Sequence, residues 1–147
     1  MIYFDTAYLA KCYLSEPGST RVRDFARDAG VIACSHFGTA ELNAVFHRHF
    51  REGRIDKRAH SILHRQFRQD LEDGIWHWLP LDSRIWDEIE QRFASLPRDV
   101  FLRGADAVHL ASAHLHGIAD VYSNDRHLLA ACPAFGLNGH DFLKEAI

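Results

Sequence analysis

Short apolar runs of strand length alternate with helical segments along the whole chain, and this alternation restricts the possible folds more than any other feature. Ile2 to Asp5 is an apolar run ending on an acid, and Thr6 can cap a helix over Ala7 to Leu14. After a turn at Pro17 and Gly18, Ser19 to Ala29 reads as a helix that Gly30 stops ahead of a second strand, Val31 to Cys34. His36 to Phe50 and Asp56 to Glu72 follow as two helices interrupted at Gly53, the second carrying Ile62, Leu63, Phe67 and Leu71 in helical period. Asp73 and Gly74 turn the chain into a third strand, Ile75 to Leu81, with the bulky Trp76, Trp78 and Leu79. Asp82 or Ser83 caps a helix through Phe93, Pro97 breaks the chain, and Leu102 to His116 is helical up to Gly117. Val121 to Ser123 reads as a fourth strand, Asp125 to Ala131 as a short helix, Phe135 to Leu137 as a fifth strand, and Asp141 as the opening of a terminal helix. Strands alternating with helices predict an α/β three-layer sandwich with a mostly parallel central sheet of four to five strands. At 147 residues and 47% hydrophobic content, residues 1–147 are expected to form one domain with its own core.

Charge and composition exclude several classes of function. No stretch is long and apolar enough to span a bilayer, and the start lacks a basic region followed by an apolar one, so a soluble, cytoplasmic protein is expected. Cys12, Cys34 and Cys132 are odd in number, form no CxxC pair and sit in apolar surroundings, which reads as reduced core thiols. A net charge of -3 argues against holding nucleic acid by bulk positive charge. One segment is locally basic: Arg48, Arg51, Arg54, Lys57, Arg58, Arg65 and Arg68 stand against only Glu52 and Asp56. A solvated helical face is the commoner meaning of such a run, with RNA phosphates or a protein partner as the functional ones.

Four acids carry the chemical signal. Asp5 and Asp125 each follow a strand, which in an open parallel sheet places them at the crevice beyond the strands' carboxyl ends. Glu41 has Phe37 at i−4 with Ala44 and Val45 at i+3 and i+4, and Asp106 has Leu102 at i−4 with His109 and Leu110 at i+3 and i+4; both project from the apolar side of a helix. A buried carboxylate needs a cation, a donor or a proton. If the four meet, their repulsion calls for a divalent ion, and an all-oxygen donor set favours Mg²⁺, with Mn²⁺ as substitute, over Zn²⁺. Such an ion can lower the pKa of a bound water for attack on a phosphodiester. The blander readings make Asp5 and Asp125 helix caps and pair Glu41 and Asp106 with buried arginines. There is no GxSxG elbow, P-loop or GxGxxG. His60 and His64 have zinc-ligand spacing without a convincing third ligand, Trp76 and Trp78 read as core or interface rather than base-stacking platforms, and His109 reads as a packed core residue or a partner of Asp106.

Four motifs in order, Ile2 to Thr6, Thr39 to Leu42, Arg103 to Ala113 and Tyr122 to Leu128, resemble those of the PIN-domain ribonucleases, and among them the VapC-like toxins of bacterial toxin-antitoxin pairs. The resemblance runs nearly end to end. It implies an Mg²⁺-dependent endoribonuclease that leaves 5′-phosphate and 3′-hydroxyl ends, is homodimeric and is neutralised by a cognate antitoxin. By matched position it implies Asp5 and Asp106 as principal metal ligands, Glu41 and Asp125 completing the cluster directly or through water, and Thr6 and Ser123 steadying water or phosphate. A catalytically silent PIN-like module that binds RNA or protein is the alternative, and a DNA nuclease or phosphatase-like hydrolase using the same ions is a third reading.

Overall fold

The computed structural model describes residues 1–144 and contains five strands, all parallel, in the order β3-β2-β1-β4-β5. The elements run β1 (Ile2–Phe4), α1 (Thr6–Tyr13), α2 (Ser19–Asp28), β2 (Ile32–Ser35), α3 (Phe37–Arg51), α4 (Lys57–Asp73), β3 (His77–Leu79), α5 (Ser83–Ser95), α6 (Gly104–Leu115), β4 (Asp120–Tyr122), α7 (Arg126–Ala131) and β5 (Asn138–His140). Right-handed crossovers dictate the layers. The chain steps one way from β1 to β2 to β3 and then jumps back past both to β4, so α1 to α4 cover one face and α5 to α7 the other. The packing follows: α1 meets α2 and α3, α3 meets α4, and α6 meets α5 and α7. The reversal of direction lies between β1 and β4, which makes their carboxyl ends the topological switch point of the sheet.

The central strands are buried on both faces, and Tyr3, Phe4, Ala33, Cys34 and Val121 are fully enclosed. Phe46 and Phe67 clamp Tyr13 where α3 and α4 pack on α1. The α3–α4 hairpin is held by the Asp56 cap, which accepts from the Ala59 amide, and α4 ends on Gly74 at φ 64°. A residue with a Cβ would strain that left-handed position.

Two sequence expectations are corrected and a third lies outside the described residues. The fifth strand is Asn138–His140, because Pro133 starts a 3-10 turn over Cys132–Phe135 that Gly136 ends, leaving Leu137 as a buried connector. Asn138, Gly139 and His140 have poor strand propensity, and pairing with β4 overrides it. Gly139 is required there, since a Cβ would stand 2.9 Å from a Leu129 methyl and 3.1 Å from Cys132 Sγ. The third strand is shorter than Ile75 to Leu81, and Asp141 is followed by a turn through Lys144, beyond which the expected terminal helix lies outside the described residues. No helix among the described residues is long and apolar enough to cross a membrane.

Candidate active site

Each of the four acids sits at the start of a helix that begins on the carboxyl side of the sheet. Asp5 is the N-cap of α1, Asp125 the N-cap of α7, Asp106 lies in the first turn of α6 and Glu41 in the second turn of α3. Helix N-termini carry partial positive charge, worth about 0.3–1 kcal/mol to a carboxylate at the cap or in the first turn, so for Asp5, Asp106 and Asp125 the fold partly offsets the repulsion it creates. All four acids and Thr6 line one pocket of about 640 Å³.

The caps and the pocket use different oxygens of the same carboxylates. Asp5 Oδ1 accepts from the Tyr8 amide at 2.9 Å, while Oδ2 accepts from the Ser123 hydroxyl. Asp125 Oδ1 accepts from the His127 amide at 2.8 Å and the Leu128 amide at 3.3 Å, while Oδ2 meets Arg103. The helix-cap reading of both residues therefore holds, and it leaves one oxygen of each for other work. Ser123 is fully buried and ties β1 to the α7 cap, since its Oγ also accepts from the Asp125 amide at 2.9 Å.

Glu41 is held from inside the protein. Its Oε2 accepts from Thr6 Oγ1 and from His109 Nε2, each at 2.5 Å, and the other ring nitrogen of His109 stands 2.6 Å from the Tyr3 hydroxyl. Burial alone would push His109 down, but hydrogen bonds to Cys34 and Glu41 outweigh it and raise its pKa to about 10. Burial likewise works against the Glu41 charge, and the His109 and Thr6 hydrogen bonds overcome it and lower its pKa. His109 is thus the counter-ion of Glu41 and makes no contact of this kind with Asp106, and no arginine pairs with Glu41 at salt-bridge distance. Gly38, one turn before Glu41, makes this approach possible: a Cβ there would lie 2.7 Å from Cys34 Sγ and 3.3 Å from Thr6 Oγ1. A glycine inside a helix costs about 1 kcal/mol relative to alanine, and that cost is the sequence signal pointing to a tight contact.

Asp106 and Asp125 are held from outside. Arg103 Nε donates to Asp106 Oδ2 at 2.8 Å, and its Nη2 donates to Asp106 Oδ1 at 3.4 Å and to Asp125 Oδ2. The arginine pairing expected as the blander reading is present for Asp106, but the arginine is half-exposed rather than buried. Asp5 has no such cation: burial, only partly opposed by Ser123 and Tyr8, raises its pKa to about 6.

As placed, no three His, Cys, Asp or Glu side chains among the described residues stand close enough to hold a metal ion. The donor chemistry nevertheless fits a hard divalent cation. The pocket offers carboxylate and hydroxyl oxygens with no thiol, a guanidinium already occupies a cation position between two of the acids, and Asp5 feels the charge of His109 but is paired directly with no cation among the described residues. Asp5, Asp106, Glu41 and Asp125 are the residues that would hold it.

The profile of the PIN domain matches residues 2–132. The chain belongs to the PIN-domain family. Among curated proteins none matches it. Among solved structures, this PIN domain is similar to FitAcB from Neisseria gonorrhoeae (TM-score 0.76, 18% identity, covering 96% of this chain and 97% of that one). It is also similar to the sarcin-ricin loop cleaving toxin VapC20 from Mycobacterium tuberculosis (0.63, 19%, 89% and 95%). VapBC2 from Rickettsia felis, solved bound to a DNA fragment from its promoter, is a third likeness (0.63, 15%, 96% and 100%). At these identities the structural likeness speaks for the fold.

The remaining expectations divide. Arg48 of the basic segment lines the same pocket as the acids of the PIN domain, and with Arg51 it also lines an adjoining groove that shares Glu41. Arg65 and Arg68 line a different groove. His60 and His64 meet at 3.1 Å with no third ligand among the described residues. Trp76 donates to the Tyr13 hydroxyl at 2.7 Å and Trp78 packs on Phe67, so both tryptophans serve the core. All three cysteines are free. Gly38, Arg103 and the Glu41 counter-ion role of His109 are what sequence reading missed.

Proposed function

We propose that this protein is an Mg²⁺-dependent endoribonuclease, the VapC-like toxin of a toxin-antitoxin pair acting in the cytoplasm. The observation that carries the reading is the gathering of Asp5, Glu41, Asp106 and Asp125 from four helix starts into one pocket at the switch point of the sheet. Membership of the PIN-domain family supports it, as does a fold shared with a sarcin-ricin loop cleaving toxin and with the toxin-antitoxin protein VapBC2. A cognate antitoxin and a second copy of this chain are the partners that reading includes.

When bound, Mg²⁺ or Mn²⁺ would supply the positive charge that offsets the acids, lowers the pKa of water and stabilises negative charge on the phosphoryl oxygens. The chain's own residues prepare for that chemistry. Asp5 and Asp106 would be the principal ligands, and Asp125 would complete the set with one oxygen while it caps α7 with the other. Glu41 keeps its charge at neutral pH through His109 and Thr6. Thr6 and Ser123 act as positioning residues, since their hydroxyls are committed to Glu41 and Asp5 rather than free for phosphate. Arg48 and Arg126 both line the pocket and offer cations to the flanking phosphates of an RNA strand.

The test is cleavage of a mixed RNA pool with Mg²⁺, with EDTA, and with Asp5→Asn and Asp106→Asn. Loss of cleavage in the last three arms is expected; activity unaffected by chelation or by either substitution overturns the reading. A single-stranded DNA arm separates a ribonuclease from a general phosphodiesterase. The second reading, a silent module that retains RNA without cutting it, is favoured by the absence of a ready three-ligand set among the described residues and by the Arg103 pairing. It predicts RNA retention on a filter with no Mg²⁺-dependent products.

A further inference from the structure

Arg103 stands where a divalent ion would be drawn, and its geometry is that of a removable occupant. It precedes the first residue of α6, makes no cap hydrogen bond there, and reaches forward over one turn to Asp106 and across 22 positions of sequence to Asp125. Its side chain remains 54% exposed while that of Asp106 is 11% exposed. The acids are therefore fixed in the protein wall and the cation is the movable partner. Asp125 is fixed by two backbone amides, and Asp106 sits largely enclosed on the first turn of α6 with Arg103 as the donor to its carboxylate. What Arg103 does supply is charge, to two carboxylates that would otherwise face one another.

Resting on the metal-dependent reading above, we propose that Arg103 is a built-in counter-ion that competes with the divalent cation for Asp106 and Asp125, so that the ion binds only as the guanidinium swings out. An ion that binds only the Arg-out form has its affinity reduced by the fraction of molecules in that form; an arginine seated about 90% of the time weakens binding about tenfold. The competition sets a threshold for ion loading without any added subunit. Once released, the guanidinium stays tethered beside the pocket that Arg48 and Arg126 also line.

The experiment is a Mn²⁺ titration of the full-length wild-type chain and of Arg103→Gln and Arg103→Lys, read by the loss of the free Mn²⁺ electron paramagnetic signal. Arg103→Gln is expected to tighten Mn²⁺ binding by about five- to tenfold. Arg103→Lys, which keeps the charge but not the fork that bridges two carboxylates, is expected to fall between. In parallel, the ¹⁵Nε–H resonance of Arg103 in the wild-type protein is followed during Mg²⁺ addition, a readout that needs no variant. It is expected to shift and to exchange faster with water as the ion binds. An unchanged or weaker Mn²⁺ affinity in Arg103→Gln, or an arginine resonance indifferent to Mg²⁺ in a protein that binds the ion, overturns the competition while leaving the metal-dependent reading in place. Failure of wild type and variants alike to bind Mn²⁺ overturns both.

Discussion

Asp5 and Glu41 stand on buried supports, whereas Asp106 and Asp125 share one half-exposed arginine. On the inner side, Ser123, Thr6, His109 and Tyr3 form a hydrogen-bonded layer that joins β1, α3, α6 and the end of β4. On the outer side a single flexible side chain provides the charge. The difference separates two jobs within one pocket. Groups enclosed by protein hold geometry, because their partners have nowhere else to go. A group at the rim can exchange its partner for an ion or a phosphate at little cost, since exposed ion pairs contribute only about 0–1 kcal/mol.

The contrast breaks most visibly at His109. His109→Leu leaves Glu41 without its buried counter-ion and the Tyr3 hydroxyl with the Ser35 amide but without the imidazole, and is expected to destabilise the protein by about 3 kcal/mol. Arg103→Gln is expected to cost less than about 1 kcal/mol. Equal losses in urea denaturation would mean that the two halves are not held differently.

Asp5 sharpens the comparison through pH. Its carboxyl rises from 3.8 to about 6 on folding, so the folded state holds that proton more tightly than the unfolded one. Stability from this group therefore falls as pH climbs from about 4 through 6, by up to about 3 kcal/mol. Asp5→Asn is expected to raise the melting temperature at pH 8 without Mg²⁺ and to leave it nearly unchanged at pH 4. His109 acts at higher pH: its pKa is raised from 6.5 to about 10, so its contribution is complete below 6.5 and lost as pH rises through 10. Melting curves between pH 4 and 10 check both.

Gly38→Ala tests whether the inner layer depends on close approach. A methyl group forced toward Cys34 and Thr6 is expected to cost about 1–3 kcal/mol and to lower cleavage through Glu41. A neutral result would show that α3 can shift without disturbing the site. The smallest effect belongs to Arg48, exposed at the pocket edge. Arg48→Ala is expected to leave stability within about 0.5 kcal/mol while weakening RNA binding and reducing its salt dependence by about one phosphate contact. An unchanged salt slope would remove Arg48 from the RNA path.

Much of the fold was legible in local pattern. The four longest helices and the first four strands follow from periodicity, glycine stops and caps. Asn138–His140 was illegible because a polar edge strand is made by its neighbour, not by its own residues. The basic segment shows the same limit: it is continuous in sequence, yet Arg48 lines the acid pocket while Arg65 and Arg68 line a separate groove.

For the site, the chain by itself determined which acids follow strands and which lie on apolar helix faces, since both are matters of spacing along a strand or helix. It also carried the order of motifs that marks the PIN-domain family. Only the tertiary structure decided what each acid is paired with. His109 is three residues from Asp106 yet serves Glu41, 68 positions away, and Arg103 reaches Asp125 across 22. Counter-ions are chosen by distance and burial in space, and neither is written in the local periodicity that makes helices and strands readable.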